Sequence, residues 1–362
     1  MALQMVPGVG SVTIRRLVDQ FGSPDAVLNA SPSALNTAGW LSPRIRDAIL
    51  AGPDRHSLER GMDTLTRINA WALTYRDMQY PRLLCQIPDP PAVLYGLGDP
   101  SRFAGRSIAV VGSRKASPYG IRAARDLSAG LAEKGITVVS GMAPGIDTAA
   151  HEAALKAGGV TIAVKGCGID IPYPRHDNSF IERMVSSGAI ITEFPPGVTP
   201  EPRNFPIRNR IISGLCLGVV IIEAGVKSGS LITAACALEQ GREVMAIPGS
   251  IYSNGSMGSH WLIKQGARLV ENASDVLEGL DGPCIFKGAS VDSDMAERYE
   301  RPDIPLGPEE RLLFDRLGAY PVHIDELTNL SGLPVAQVSA ILIQMELKEI
   351  VQALPGQMYQ RK

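Results

Sequence analysis

The chain has 362 residues, enough for two or three folded units at about 150 residues each. Its 35 basic and 37 acidic side chains nearly cancel, which excludes a uniformly basic nucleic-acid coat but not a local basic groove; aromatic residues, at 5%, exclude a long base-stacking stripe. Hydrophobic residues at 45% suffice for a real core, and 37 glycines with 27 prolines predict many tight turns and close backbone approaches.

Five cysteines (Cys85, Cys167, Cys216, Cys236, Cys284) and five histidines are scattered without CxxC or zinc spacing, so neither a disulfide framework nor a metal site is expected. The N-terminus has no charged-then-apolar signal pattern, and no apolar run approaches the roughly 18 residues that span a bilayer. A cytoplasmic protein with reduced thiols and no membrane association is expected.

Residues 1–65 read as a small helical domain. Pro7-Gly8-Val9-Gly10 forms a hairpin, and Val12, Leu17, Val18 and Phe21 follow near helical spacing. The pattern resembles a helix-hairpin-helix unit, whose glycines admit a DNA phosphate; a plain packing module fits equally, and the balanced charge of residues 1–100 favours packing.

Residues 66–280 form the next domain. The stretch 66–100 contributes an edge strand and a short helix. From Ser107 onward, strand candidates fall at 107–112, 137–140, 161–164, 189–194, 218–224, 243–248 and 268–270. Their β-branched runs are continuous, which implies burial on both faces of a parallel sheet. Intervening segments are long enough for crossover helices over 119–134, 146–157 and 229–240. The fold expected is a doubly wound, Rossmann-like α/β sheet that binds ligands at the carboxyl ends of its strands, near the topological switch.

Residues 281–304 lose periodicity and carry six acids against three bases, reading as a linker. Residues 305–362 predict three helices and a glycine-turned hairpin, a winged helix. Its third helix offers Lys348 against Glu346 and Glu349, so a protein partner is expected there rather than DNA.

Every chemically suggestive loop follows a strand: Gly112-Ser113-Arg114-Lys115, Ser140-Gly141, Lys165-Gly166-Cys167-Gly168 and Ser228-Gly229-Ser230. Glycines let backbone N–H groups face an anion, and helix N-termini add positive potential. No GxGxxG or GxxxxGK[ST] occurs, so neither NAD nor ATP is expected, and no cofactor. The segment 201–210 is the richest in the chain. Arg203, Arg208 and Arg210 offer forks to phosphate, Asn204 adds a polar contact, and Phe205 offers a base platform. Pairing with Glu193 or Glu223 is the competing expectation for Arg210. By segment the net charge is 0 over 1–100, +3 over 101–280, −3 over 281–304 and −2 over 305–362, so the cations gather in the sheet domain.

No catalytic constellation emerges. Asp147 and His151 stand i and i+4, which reads as a structural pair rather than an oriented base. Cys167, between glycines, is expected to be exposed at a strand end, and Thr233 to pack or cap a helix.

Taken together, VGSRKASPYG (111–120), VVSGMAPGIDTAAHEAAL (138–155), GCGIDIPYP (166–174), ITEFPPG (191–197), NFPIRNRIISGL (204–215), EAGVKSGSLITA (223–234), QGREVMAIPGS (240–250) and LIKQGARLV (262–270) resemble the DNA-processing protein A family (DprA, also called Smf). The resemblance covers essentially all of 66–280, and the helical head and winged-helix tail match its longer members. It implies a homodimer that binds and protects single-stranded DNA during natural transformation, loads the RecA recombinase and catalyses nothing. It carries a basic pocket over to Arg114 and the Arg203-Asn204-Phe205 neighbourhood. Two departures stand out: Pro144 replaces an arginine of many relatives, and Lys165 replaces a usually apolar residue, which is expected to restore charge beside the pocket. The alternative is a Rossmann-like enzyme that cleaves nucleoside monophosphates. Such enzymes carry a PGGxGT loop and a carboxylate; here KSGSLITA lacks the double glycine, although Glu223 lies nearby.

Overall fold

The computed structural model describes residues 1–281, 306–317, 322–348, 350–354 and 356–361. They fall into two compact units. One holds Met1–Pro248 and the residues from Gly258 to 281; the other holds 249–257 and the described residues from 306 onward.

The first unit is built on β1 (Trp71–Thr74), β2 (Val93–Gly98), β3 (Ser107–Val111), β4 (Thr137–Ser140), β5 (Thr161–Val164), β6 (Ala189–Thr192), β7 (Gly218–Ile221), β8 (Glu243–Ala246) and β9 (Arg268–Leu269). They form one sheet in the order β1-β2-β6-β5-β4-β3-β7-β8-β9. Strands β3 to β9 pair in parallel, as the continuous apolar runs predict. In place of the single expected edge strand, β1 and β2 form an antiparallel ribbon, with β2 running against β6.

Strand order reverses beside β3, whose neighbours are β4 and β7, and a crevice opens there because the chain leaves toward opposite faces. Helices Pro118–Glu133 and Ile146–Lys156 pack together over one face, burying Ile108, Val110, Val138 and Val220. Alternation turns Ala109, Val139, Val219 and Ile221 to the other face, all equally buried. Helices Asn204–Gly214 and Gly229–Glu239 pack on one another, the latter against β7 and β8.

The five N-terminal helices, Ser11–Phe21 to Arg55–Arg67, start at cap residues including Ser23, Ser31 and Ser42, each followed by a proline that presets helical φ. Leu17 and Val18 join their core, whereas Val12 is exposed. Gln4 joins this bundle to the sheet, donating to the Glu193 carbonyl at 2.6 Å and accepting from the Tyr95 hydroxyl at 2.8 Å.

The second unit has helices Pro308–Phe314, Ile324–Ser331 and Val335–Leu347 with β10 (Val322–His323), β11 (Val351–Leu354) and β12 (Met358–Arg361), ordered β10-β12-β11. Leu313, Leu327, Val338, Leu342 and Met345 form its own core, the winged-helix arrangement expected. The linker expected over 281–304 lies, after Asp281, outside the described residues. Among the described residues, no single helix is long and apolar enough to cross a membrane.

Candidate nucleic-acid interface

A cavity of about 190 Å³ occupies the switch point, lined by Gly112 and Arg114 after β3, Ala143 and Asp147 after β4, and Ser228–Ser230 after β7, with Phe205 and Arg208 from the helix between. Gly112 is required by space. A Cβ there would stand 2.7 Å from Ile146 Cγ1 and 2.9 Å from the Glu223 carbonyl oxygen. Ser113 then fastens the turn: its N–H donates to the Glu223 carbonyl at 2.8 Å, and its carbonyl accepts from Ile146 N–H at 3.2 Å. Arg114 emerges exposed at the mouth, its guanidinium 5.1 Å from the centre of the Phe205 ring, a cation–π distance. Lys115 beside it is also exposed.

Phe205 sits in the first turn of its helix, anchored by buried Asn204, whose amide donates to the Thr199 carbonyl at 3.3 Å. The ring is half-buried, and Gly166 lies under it, where a Cβ would be 3.0 Å from the ring. Tyr173 flanks it at 5.7 Å between centroids. Charge and spacing do not single out Tyr173 as part of this aromatic wall; its signal in the chain is an aromatic between two prolines in a strand-end loop.

Arg208 is a floor residue, only 4% exposed. Its Nη1 donates to the carbonyls of Gly141, at 2.8 Å, and Val164, and Nε donates to Asn209 Oδ1 at 3.3 Å. Gly141 makes this possible, since a Cβ would lie 2.7 Å from the guanidinium. Burial lowers the Arg208 pKa to about 10, leaving it charged at neutral pH, with Asp147 opposing the shift. Asp147 accepts from the N–H groups of Gly141 and Ala143, and burial pushes its carboxyl above the ordinary range against the pull of Arg208. Ser228 caps the helix Gly229–Glu239, accepting from Ser230 N–H and sharing a 2.7 Å hydroxyl contact with Ser230. Asn209 ties in the same loop through the Gly229 carbonyl.

Several side chains grouped with this site point elsewhere. Ser140 is buried and donates to the Val110 carbonyl at 2.7 Å. Lys165 does not restore charge beside Arg114. It is buried in a separate cavity with its Nζ donating to the carbonyls of Ile169 and Ile171, and burial lowers its pKa. Arg210 lies between Glu193, at 2.7 Å, and Asp89, at 2.6 Å, which realises one of the two expected pairings. Arg203 is exposed at the helix start, 2.6 Å from Glu201.

Among the remaining candidate groups, Cys167 and the Asp147–His151 pair differ from expectation, whereas Thr233 packs as expected. Cys167 is fully buried rather than exposed, and burial raises its thiol pKa. Asp147 and His151 do not pair; His151 Nδ1 is 2.7 Å from Thr161 Oγ1. Thr161 gives its own proton to the Val138 carbonyl, so Nδ1 is the donor, and burial keeps the imidazole neutral. Glu223 is buried at the start of the helix Pro118–Glu133, where it accepts from the Ser117 N–H at 2.9 Å and hydroxyl at 3.2 Å. Thr233 is buried against the crevice.

A glycine-turned crevice at the switch point of a doubly wound sheet, with exposed cations at its mouth and a winged helix downstream, defines a Rossmann-like protein with a winged-helix domain. The family model described as DNA recombination-mediator protein A matches residues 71–281, and that of the DprA winged helix domain matches 297–357. The chain belongs to the DprA/Smf family of DNA recombination mediators. Protein Smf of Escherichia coli (strain K12) is 41% identical over 304 residues, covering 83% of this chain and 80% of that protein. Protein Smf of Synechocystis is 32% identical, covering 100% and 98%. Among solved structures, DprA of Streptococcus pneumoniae superposes with a TM-score of 0.67 at 35% identity, covering 79% of this chain and 96% of that one. DprA of Helicobacter pylori, described for its single-stranded DNA binding mode, does so with 0.53 at 29% identity, covering 58% and 95%.

Proposed function

We propose that this chain binds single-stranded DNA across the switch-point crevice and delivers it to the RecA recombinase during natural transformation, protecting it meanwhile. One observation carries the reading: exposed Arg114 stands over half-buried Phe205 at the mouth of the crevice. Arg114 and Lys115 meet phosphates, the backbone at Gly112 and Gly229 adds N–H donors, and Phe205 with Tyr173 offers an edge to an unpaired base. A duplex keeps its bases stacked inside and finds no such partner. The single-stranded DNA binding described for the H. pylori relative supports this choice of ligand.

The reading is of a binding protein rather than an enzyme. Glu223, the carboxylate that a nucleotide-cleaving relative would need, is engaged at a helix start, and His151 and Cys167 are buried away from the crevice. Residues 66–280 act as the DNA-binding core, 1–65 as a helical domain, and 305–362, joined through 281–304, as a unit that serves a protein partner. Dimerisation joins two crevices and raises avidity through effective concentration.

The test is fluorescence anisotropy of single- and double-stranded oligonucleotides at two salt concentrations, with wild type and Arg114→Ala. Strand preference in the wild type and loss in the variant are expected. Equal affinity for duplex, or wild-type affinity in the variant, overturns the proposed pocket; release of free base from nucleoside monophosphates overturns the non-catalytic reading.

A further inference from the structure

Beyond Tyr173 a second cavity, of about 220 Å³, lies between the carboxyl end of β5 and the helix Asn178–Ser187. We infer that this cavity is a base-reading subsite, where the Lys165 ammonium donates to a carbonyl oxygen of one unpaired base. The inference rests on the single-stranded DNA reading above and gives it a base preference.

Three features set the ligand. The first is an unused donor. Lys165 is only 7% exposed, and an ammonium carries three N–H groups. The Ile169 carbonyl, at 3.2 Å, and the Ile171 carbonyl take two of them; among the described residues nothing accepts the third. His176, on the same wall, spends its Nε2–H on the Met142 carbonyl at 3.1 Å. The second feature is charge balance. Asp170 also lines the cavity, accepts from the Gly197 N–H at 3.0 Å, and acts on Lys165 through its negative charge. An anion therefore gains little here, and a neutral acceptor suits the site. The third is shape. Ile169, Ile171, Ile181 and Ile190 make apolar walls, and Tyr173 stands between Pro172 and Pro174 at one side. A phosphate would lose its hydration against such walls. A base has apolar faces and polar edges, and of the four DNA bases only adenine carries no carbonyl oxygen. Tyr173 lines this cavity while its ring centre stands 5.7 Å from that of Phe205, so a strand laid over Phe205 brings a neighbouring base here.

The experiment is fluorescence anisotropy of the full chain with two single strands of equal length, one of thymidine and one of deoxyadenosine alone. Lys165→Met is expected to lower the thymidine-to-adenosine affinity ratio roughly tenfold, about one hydrogen bond from a charged donor, with adenosine affinity retained. Because each variant is compared with wild type, the strands' own difference in stacking cancels. Ile181→Trp fills the cavity from the helix and leaves Lys165 in place. It should lower the ratio as far, so the test stays decisive even where Lys165→Met does not fold; melting temperature checks folding. An unchanged ratio in either folded variant overturns the subsite. A fall of the same size in Arg114→Ala assigns the preference to the crevice mouth and overturns it too. Failure of the crevice reading looks different: Arg114→Ala then binds both strands as tightly as wild type.

Discussion

Arg114 and Arg208 share the Phe205 ring but not a role. Arg114 is exposed at the mouth, whereas Arg208 neutralises backbone carbonyls and Asp147 inside the floor. Arg114→Ala is therefore expected to leave stability within about 0.5 kcal/mol. Its affinity for single-stranded DNA should fall, and the slope of log affinity against log salt should flatten by about 0.7, one phosphate contact; anisotropy across a salt series checks both. Arg208→Met uncaps the Gly141 and Val164 carbonyls and leaves the Asp147 charge buried without its neighbour. A loss of about 3 kcal/mol in urea unfolding is expected. A variant as stable as wild type would move Arg208 out of the floor.

Between elements, buried polar groups hold the strand-end loops in place. Glu223 ends its strand against the first turn of the helix Pro118–Glu133, so close that a Cβ on Gly120 would fall 2.1 Å from its carboxylate. Its charge complements the helix N-terminus and caps Ser117. Glu223→Ala is expected to cost about 1–2 kcal/mol in urea unfolding. DNA affinity should fall as well, because Gly112–Ser117 loses its anchor.

His151 ties the helix Ile146–Lys156 to β5 through Thr161. Burial lowers its pKa from 6.5 to about 3. Between those values the unfolded chain binds a proton that the fold refuses, so stability falls as pH drops through that window. Asp147 and Glu193, whose pKa values burial raises, act in the opposite sense, gaining stability as pH falls. Comparing melting temperatures of wild type and His151→Gln from neutral pH to about 4.5 isolates the histidine, and the variant should lose less.

At the scale of the whole chain, the winged helix buries its own leucines and needs nothing from the sheet for a core. A chain ending at residue 304 is expected to melt cooperatively and to keep its single-stranded DNA affinity within about twofold, under 0.5 kcal/mol. A larger loss would place DNA contacts on the tail.

The parallel strands, their crossover helices and the glycine turns were legible in the linear chain because each is a local matter. Continuous β-branched runs demand two covered faces, and glycine marks where a backbone must pass close to another. The ribbon of β1 and β2 was half-seen, since short edge strands carry little periodicity. Side-chain destinations were a different matter. Arg208 and Arg210, two residues apart on one helix, point about 200° apart, so one enters the crevice floor while the other meets Glu193 and Asp89. Asp147 and His151 had the spacing to pair, but loop amides from 141 and 143 and a threonine on β5 offered closer partners. Lys165 looked like a free cation until the chain folded back to set two carbonyls on its ammonium. Charge and residue type were written along the chain and placed the cations in the sheet domain; which of them faces a ligand depended on partners distant in sequence, because a buried polar group must be satisfied wherever folding brings it.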